Sequence, residues 1–141
     1  MKKPENIYLD IDGVILGTRS PVEDVEALLA WLLDHFPGRV YWLTTHVRDG
    51  ANGAADWLRG KLPDRLVDRL AAEVKPTGWN VLKTEAIDFS VPFLWLEDAP
   101  LWSERAALRR MHAEDSLLCM NKKDPRAARS ALDRIMSHWG T

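Results

Sequence analysis

Two aspartates, Asp10 and Asp12, follow a short apolar segment and precede Gly13 in the sequence YLDIDGV. Carboxylates this close repel each other, and a Mg2+ ion together with a phosphoryl group relieves that conflict because both complement oxygen ligands. One carboxylate would then bind the metal and attack phosphorus, while its neighbour would handle protons. Gly13 permits a tight turn and a close approach of the backbone to a bound ligand. The pattern therefore predicts metal-assisted phosphoryl chemistry.

The same short motif also occurs in calcium-binding loops. An EF-hand loop that began at Asp10 would need a glutamate at its twelfth position, counted from that aspartate. The residue there is Pro21. The sequence thus excludes a calcium loop of this type.

Two threonines and a lysine further along the chain are candidates for binding the phosphoryl oxygens. Thr44 and Thr45 end the segment RVYWLTT, where a hydroxyl and the following backbone N–H groups can hold a phosphoryl oxygen. Lys83 lies near the start of a predicted helix, and an ammonium group there could neutralise charge on the transferring group. His46 follows the threonines, and substrate contact and a place in the loop lining both remain open for it.

Two adjacent acids, Glu97 and Asp98, end the apolar segment FLWLED. Acids at such a position either cap the following helix, here expected from Pro100, or bind a metal ion. With Asp10 at the end of a neighbouring strand, metal binding is favoured, because hard oxygen ligands from two strands suit Mg2+. We therefore expect Asp10 and Asp98 to share one divalent cation.

The elements that would position these residues alternate between strand and helix. Strands are predicted over residues 6–10, 39–45, 91–98 and 116–120, and residues 64–74 fit either a further edge strand or a helical turn. Helices are predicted over residues 21–36, 49–60, 77–88 and 100–112 and from residues 124–125 to the C-terminal region. The helix over residues 21–36 is expected to begin at a capping box formed by Ser20 and Glu23, with Pro21 in its first position. Asp49 and Thr77 are expected to cap the next two helices. This order predicts a parallel sheet covered by helices on both faces, with ligands bound at the carboxyl ends of the strands.

Length, charge and cysteine content restrict the class of protein. A chain of 141 residues predicts a single domain over residues 1–141, and a net charge of -2 without long runs of like charge argues against general capture of duplex nucleic acid. The single cysteine, Cys119, rules out an internal disulfide framework and is expected to be buried. No signal-peptide core or membrane span is evident, so a cytoplasmic location is expected.

Four segments together resemble the signature motifs of the haloacid dehalogenase (HAD) superfamily. DIDGV is similar to the first motif, YWLTT to the second, Lys83 to the third and LWLED to the fourth. The resemblance covers about residues 5 to 120 and implies a Rossmann-like, three-layer α/β/α core with about five strands. No segment has the length of a cap domain, which implies an open site.

The resemblance also implies a role for each matching residue. Asp10 would be the nucleophile that forms an aspartyl-phosphate, and Asp12 would be the general acid and base. Asp10, Asp98 and the backbone carbonyl of Asp12 would hold Mg2+. Thr44 would bind the phosphoryl oxygens, and Lys83 would steady the Asp10 carboxylate and the transferred group.

Three features depart from the usual HAD pattern. Glu97 precedes Asp98 where relatives have aspartate or glycine. Asp98 is therefore assigned as the metal ligand, and Glu97 is expected to lie next to the ligands without binding the metal. Lys75, which precedes a proline, is a rival for the third motif. Lys83 is preferred because the short segment after it leads directly into the next strand. His46 stands where many relatives have asparagine or an aromatic residue.

These features predict a Mg2+-dependent phosphatase for a phosphomonoester, carried by a small molecule or by a nucleic acid end. A weaker similarity, in WLTTH, LKTEAIDF and FLWLEDAP, links the chain to the small HAD domain of Swiss Army Knife RNA repair proteins. A catalytically idle module that binds phosphorylated or nucleic acid partners is the main alternative. A phosphotransferase or mutase is the third, and the lack of a cap argues against it.

Overall fold

A four-stranded parallel sheet forms the centre of the computed structural model, which describes residues 2–47, 53–121 and 123–139. Its strands, in the order in which they lie side by side, are β2 (Val40–Trp42), β1 (Asn6–Leu9), β3 (Phe93–Glu97) and β4 (Leu117–Cys119). All three pairings are parallel. The two central strands are buried along their whole length, which accounts for their uninterrupted apolar sequences.

Five α-helices connect or follow these strands in the described ranges. They are α1 (Val25–His35), α2 (Ala54–Leu58), α3 (Asp64–Glu73), α4 (Trp102–Arg110) and α5 (Ala127–Trp139). Short 3-10 helices at Lys83–Ala86 and Glu114–Ser116 precede β3 and β4. The predicted α/β class with a parallel sheet is confirmed. No helix within these ranges combines the length and the apolar character that a bilayer crossing requires.

Apolar side chains pack on both faces of the sheet. The larger cluster includes Ile7 and Leu9 of β1 together with residues of α1, α3 and α5. The smaller cluster includes Tyr8 of the same strand, Trp95 of β3 and Leu108 of α4. Successive side chains of a strand point to opposite faces, which is why neighbouring residues of β1 belong to different clusters. Helices therefore cover both sides of the sheet.

The prediction of about five strands is wrong, because the sheet has four. Residues 64–73, for which strand and helix were both open, form α3. Val67 and Leu70 are buried on one side of this helix, and charged residues dominate the remainder. Instead of a further edge strand, Lys75 alone makes a parallel bridge to Tyr41 of β2.

The first helix begins at Val25 rather than at Pro21, so the predicted capping box is wrong. Pro21 forms an antiparallel bridge with Leu16, and Val22 donates its N–H to the carbonyl of Ile15. These contacts fold the chain after Gly13 back on itself and use the residues assigned to the first helical turn. Tertiary pairing has overridden the local capping signal here.

The helix predicted from Thr77 through residue 88 is also wrong, since only Lys83–Ala86 is helical and it forms a 3-10 turn. Thr77 donates its hydroxyl to the carbonyl of Trp42 and does not cap a helix. The carboxylate of Glu85 accepts the backbone N–H groups of residues 80, 81 and 82. Those three donors are therefore unavailable to a regular helix.

Other differences concern element ends and one side chain. Asp49 lies outside the described residues, and the helix expected from it is α2. The last two helices start at Trp102 and Ala127, shortly after the predicted prolines. Cys119 is exposed, which contradicts its expected burial, because it ends the edge strand β4.

Candidate functional site

Three carboxylates meet where the two central strands end. Asp10 directly follows β1, Glu97 is the last residue of β3, and Asp98 comes next. The parallel register pairs Leu9 with Leu96, so the positions after these two residues are also adjacent. Ligand oxygens of the three acids lie within 4.8 Å of one another. The structure therefore brings together acids that are almost ninety residues apart, as the strand pattern predicted.

A buried lysine faces two of these acids. Nζ of Lys83 lies 2.6 Å from Oε1 of Glu97 and 3.3 Å from Oδ1 of Asp10. Its rival Lys75 is exposed beside β2, with its ammonium group 5.8 Å from the centre of the Tyr41 ring. The geometry thus brings Lys83 to the carboxylates and leaves Lys75 at the edge of the sheet.

Charge and burial compete within this cluster. Burial alone would lower the pKa of Lys83, but the carboxylates of Asp10 and Glu97 outweigh it and raise the pKa above its usual value. Burial, together with the nearby Asp10 carboxylate, raises the pKa of Glu97 to about 7 despite the opposing effect of Lys83. One ammonium group therefore does not fully compensate the acids around it.

Glu97 orients its neighbours through both of its oxygens. Its Oε1 accepts a hydrogen bond from the Lys83 ammonium group, and its Oε2 accepts the backbone N–H of Asp98 at 3.0 Å. Oδ1 of Asp10 accepts the N–H of Ile11 at 2.8 Å. Glu97 is thereby held between Lys83 and the Asp98 backbone, and it is also among the three acids whose oxygens could hold a metal ion.

Gly13 allows the Asp98 carboxylate to reach this position. The glycine has a φ of +84°, and a Cβ atom built on it would lie 2.1 Å from Cγ and Oδ2 of Asp98. Any side chain at residue 13 would therefore collide with the carboxylate and would strain the backbone. The sequence indicated a close approach at this glycine, although not that Asp98 would make it.

Asp12 lies at the rim of the site, where solvent reaches it. Its side chain is 65% exposed, and its Oδ2 lies 3.2 Å from Nε2 of His46. The acid is thus separate from the buried cluster and accessible to solvent. His46 contacts this acid directly and is partly buried.

The two threonines after β2 have different environments. Thr44 is fully buried, and its Oγ1 accepts the backbone N–H of His46 at 3.3 Å. Thr45 is exposed and lines the cleft above the acids. Of the two hydroxyl groups, the one on Thr45 is therefore the better placed to meet a bound phosphoryl group.

An open cleft of about 280 Å³ contains the acids, Lys83 and Thr45. Trp79 and Leu101 supply part of its apolar wall, and Glu104 lies among the lining residues. Glu104 belongs to none of the motifs in the sequence.

Glu104 connects α4 to the lysine. Its Oε1 accepts the N–H of Leu101 at the start of the helix, at 2.8 Å, and its Oε2 accepts the N–H of Lys83 at 2.7 Å. The residue Glu104 as a whole is only 3% exposed. A glutamate in the first turn of a helix predicts the first contact but gives no signal of the second. Because Glu104 caps α4, the alternative role of Glu97 and Asp98 as helix caps loses its basis.

The donor set fits a divalent cation. Three carboxylates share the site with one ammonium group, so two negative charges remain uncompensated when all the acids are ionised. Hard oxygen ligands from two adjacent strand ends are those that Mg2+ binds. The glycine at residue 13 also lets the Asp98 carboxylate lie against the backbone, where a side chain would collide with it.

We expect the metal-free protein to lose stability as pH rises through 7. The unfolded pKa of Glu97 is 4.5 and its folded pKa is about 7, so the folded state binds more protons between these values. The full stability is present below pH 4.5, and about 3 kcal/mol is lost as pH rises through the folded pKa.

Urea unfolding in the presence of a chelator, from pH 5 to pH 8, measures this loss. The Glu97→Gln variant is the control, because it lacks the titrating carboxyl and should show a smaller decline. Equal slopes for the two proteins would show that Glu97 is ionised throughout this range.

No family model, no curated protein and no solved structure matches this chain. A function is therefore inferred from the chemistry and geometry of the cleft.

Proposed function

We propose that this protein is a Mg2+-dependent phosphatase that hydrolyses a phosphomonoester through an aspartyl-phosphate on Asp10. The observation that supports it most is the convergence of Asp10, Asp98 and Lys83 at the ends of adjacent parallel strands. Asp12 adds an exposed acid at the rim of the same cleft. A nucleophile, a metal-binding acid, a cation and a proton carrier are thus present within one open site, in line with the HAD-like order of the motifs.

Asp10, Asp98 and the backbone carbonyl of Asp12 are the groups that would hold Mg2+. When bound there, the ion would reduce repulsion between the nucleophile and the phosphoryl oxygens and would stabilise charge on the transferring group. Glu97 would position Lys83 and the Asp98 backbone, because its two oxygens accept hydrogen bonds from these two groups.

Asp10 would begin the reaction. One of its carboxylate oxygens forms a bond to phosphorus as the bond between phosphorus and the leaving-group oxygen breaks. Lys83, 3.3 Å from Oδ1, orients this carboxylate. The hydroxyl of Thr45 and the Lys83 ammonium group are placed to bind the oxygens of the phosphoryl group.

Asp12 would move the protons in both half-reactions. It donates a proton to the leaving-group oxygen, and it then accepts a proton from the water molecule that attacks the aspartyl-phosphate. Inorganic phosphate leaves, and the Asp10 carboxylate is restored. The exposure of Asp12 suits this role because leaving group and water both reach the rim of the cleft.

The open cleft also bears on the size of the substrate. The described residues include no separate lid domain over the acids, and the elements between β1 and β3 belong to the core layers. Bulky phosphomonoesters, including a nucleic acid end, would therefore be sterically compatible with the site, as would small phosphorylated metabolites.

Metal removal tests this proposal directly. We expect the purified protein to release phosphate from p-nitrophenyl phosphate with Mg2+ present and to lose at least about 100-fold of this rate after chelation. Restoring Mg2+ should recover the activity. A rate that is unchanged by chelation would contradict the proposal. Binding of inorganic phosphate without any turnover, across several metals and phosphomonoesters, would support the idle binding module instead.

A further inference from the structure

A second depression, of about 440 Å³, adjoins the cleft and shares Asp12 with it. We propose that this depression, here called the side pocket, binds the leaving group of the substrate and selects leaving groups that bear a second anionic group. This inference rests on the proposed phosphatase function, because it assigns Asp12 to the proton transfer. The side pocket is defined by Asp12, Arg19, Ser20, Trp57 and Lys61 and by the backbone between residues 16 and 21.

Because Asp12 lines both cavities, its position determines which part of the substrate the side pocket would bind. A general acid must lie within hydrogen-bond reach of the leaving-group oxygen. With the phosphoryl group in the cleft beside Asp10 and Lys83, the leaving group would emerge beside Asp12, which lines the same cleft. The side pocket begins at that same residue, so the remainder of the leaving group extends into it.

A continuous set of contacts links Asp12 to Trp57 and Lys61 of the side pocket. His46 contacts Asp12, and its ring stacks on Trp57 with ring centres 4.8 Å apart. Lys61 donates from Nζ to the carbonyl of Trp57 at 2.8 Å, and the same ammonium group lies 4.4 Å from the centre of the indole ring. The lysine is thus held in place, although it is on the surface.

The side pocket has an excess of positive charge. Arg19 and Lys61 are among its lining residues, and among the described residues that line it Asp12 is the one acid. Within the described ranges neither cation forms an ion pair with a carboxylate, whereas the nearby Arg59 pairs with Asp68 at 3.0 Å. Two such cations beside a proton donor would favour an anion on the departing group.

The other lining groups suit a compact polar ligand. Trp57 is 47% exposed and offers an apolar edge, and Thr18 and Ser20 are lining residues with hydroxyl groups. The bridge between Leu16 and Pro21 holds this segment in a fixed turn. The expected ligand is therefore a phosphate or carboxylate attached to the alcohol that leaves, either in a small bisphosphate or as the next phosphodiester of a chain.

Two pairs of substrates distinguish a small bisphosphate from a nucleic acid chain as the source of the second anion. One pair is fructose 6-phosphate and fructose 1,6-bisphosphate, and the other is thymidine 5'-monophosphate and the 5'-phosphorylated dinucleotide pTpT. We expect kcat/KM in at least one pair to be about tenfold higher for the member with the second anion, and this preference to fall as salt screens the cations. The pair that shows the preference identifies the source of the anion.

Variants of the two cations complete the test. Arg19→Ala and Lys61→Ala should each remove most of that preference, because they should lower kcat/KM for the dianionic substrate several-fold more than for p-nitrophenyl phosphate, which has no second anion. Arg65→Ala, an exposed arginine on α3 away from both cavities, is the matched control and should leave every substrate unaffected.

Three outcomes would overturn the inference. If neither pair shows a preference, or if the variants slow p-nitrophenyl phosphate as much as the dianionic substrates, the side pocket has no selective role and the phosphatase proposal still stands. If the wild-type protein hydrolyses none of these esters, both proposals fall together.

Discussion

Asp10→Asn should lower the kcat/KM for p-nitrophenyl phosphate by about 10⁴-fold or more, the scale of loss seen when a nucleophile is removed. Asparagine has nearly the same shape as aspartate, so the side chain can still occupy its buried place after β1. Its amide oxygen is a poor nucleophile and a weaker metal ligand. The substitution therefore removes the proposed covalent step without removing the fold.

The charge balance predicts a second effect of the same variant. Removing the Asp10 charge relieves the repulsion that raises the pKa of Glu97, and it leaves Lys83 paired with Glu97 alone. The metal-free variant should therefore be at least as stable as the wild-type protein above pH 7. Urea unfolding in chelator, alongside phosphate release, separates loss of chemistry from loss of folding.

The trapped intermediate provides the sharpest measurement. Wild-type protein quenched in acid during turnover should show a phosphoryl group on the peptide that contains Asp10, and Asp10→Asn should show none. Asp133→Asn, an exposed acid on α5, is the control and should behave like the wild type in every assay. Full activity in Asp10→Asn would exclude an aspartyl-phosphate on this residue.

The acids of the site were predictable because the ends of the strands can be recognised in the sequence. β1 and β3 are uninterrupted apolar segments that change abruptly to acid, and parallel strands present their carboxyl ends at one edge of the sheet. Asp10 and Asp98 could therefore be placed together from the sequence alone. Helix α5 was similarly evident, since Leu132 and Ile135 recur at helical spacing and are buried.

What could not be predicted depends on contacts between distant segments. The start of α1 was misplaced because Pro21 pairs with Leu16, and a capping motif gives no sign of such a bridge. The helix expected from Thr77 does not form because the Glu85 carboxylate accepts the backbone N–H groups of residues 80, 81 and 82. Local propensities do not report on these competing hydrogen bonds.

The same limit applies to the support of the site. Glu104 reaches from α4 to the backbone of Lys83, and Glu97 holds the ammonium group of that lysine. Both contacts depend on how α4 packs against the segment before β3, which is a property of the assembled fold. Lys83 was a candidate from its position in the sequence, but the contacts by which Glu97 and Glu104 position it could not be predicted.

Lys83→Met should destabilise the metal-free protein by about 3–5 kcal/mol, because it leaves buried carboxylates without their cation. The lysine side chain is 11% exposed, and those of Asp10 and Glu97 are 7% and 3% exposed. Solvent cannot replace the ion pair at such depth. Protonation of Glu97 relieves part of the cost, so the loss should be larger at pH 8 than at pH 5.

Activity should fall with stability, but for a separate reason. Without the ammonium group, the phosphoryl oxygens lose a positive partner in the transition state, which is worth about 10²- to 10³-fold in kcat. Saturating Mg2+ should restore much of the stability by neutralising the acids, while the loss in kcat should remain. Phosphate release measured on the refolded, metal-saturated variant distinguishes the two effects.

Lys75→Met is the matched control, since it makes the same substitution at the rival lysine. Lys75 is exposed beside β2, and its backbone rather than its ammonium group bonds to that strand through the Val40 carbonyl and the Trp42 N–H. Its loss should change the free energy of unfolding by less than about 1 kcal/mol and leave kcat unaltered. The reverse result, with activity lost in Lys75→Met and kept in Lys83→Met, would transfer the catalytic role to Lys75 and would require the segment between residues 75 and 83 to rearrange when substrate binds.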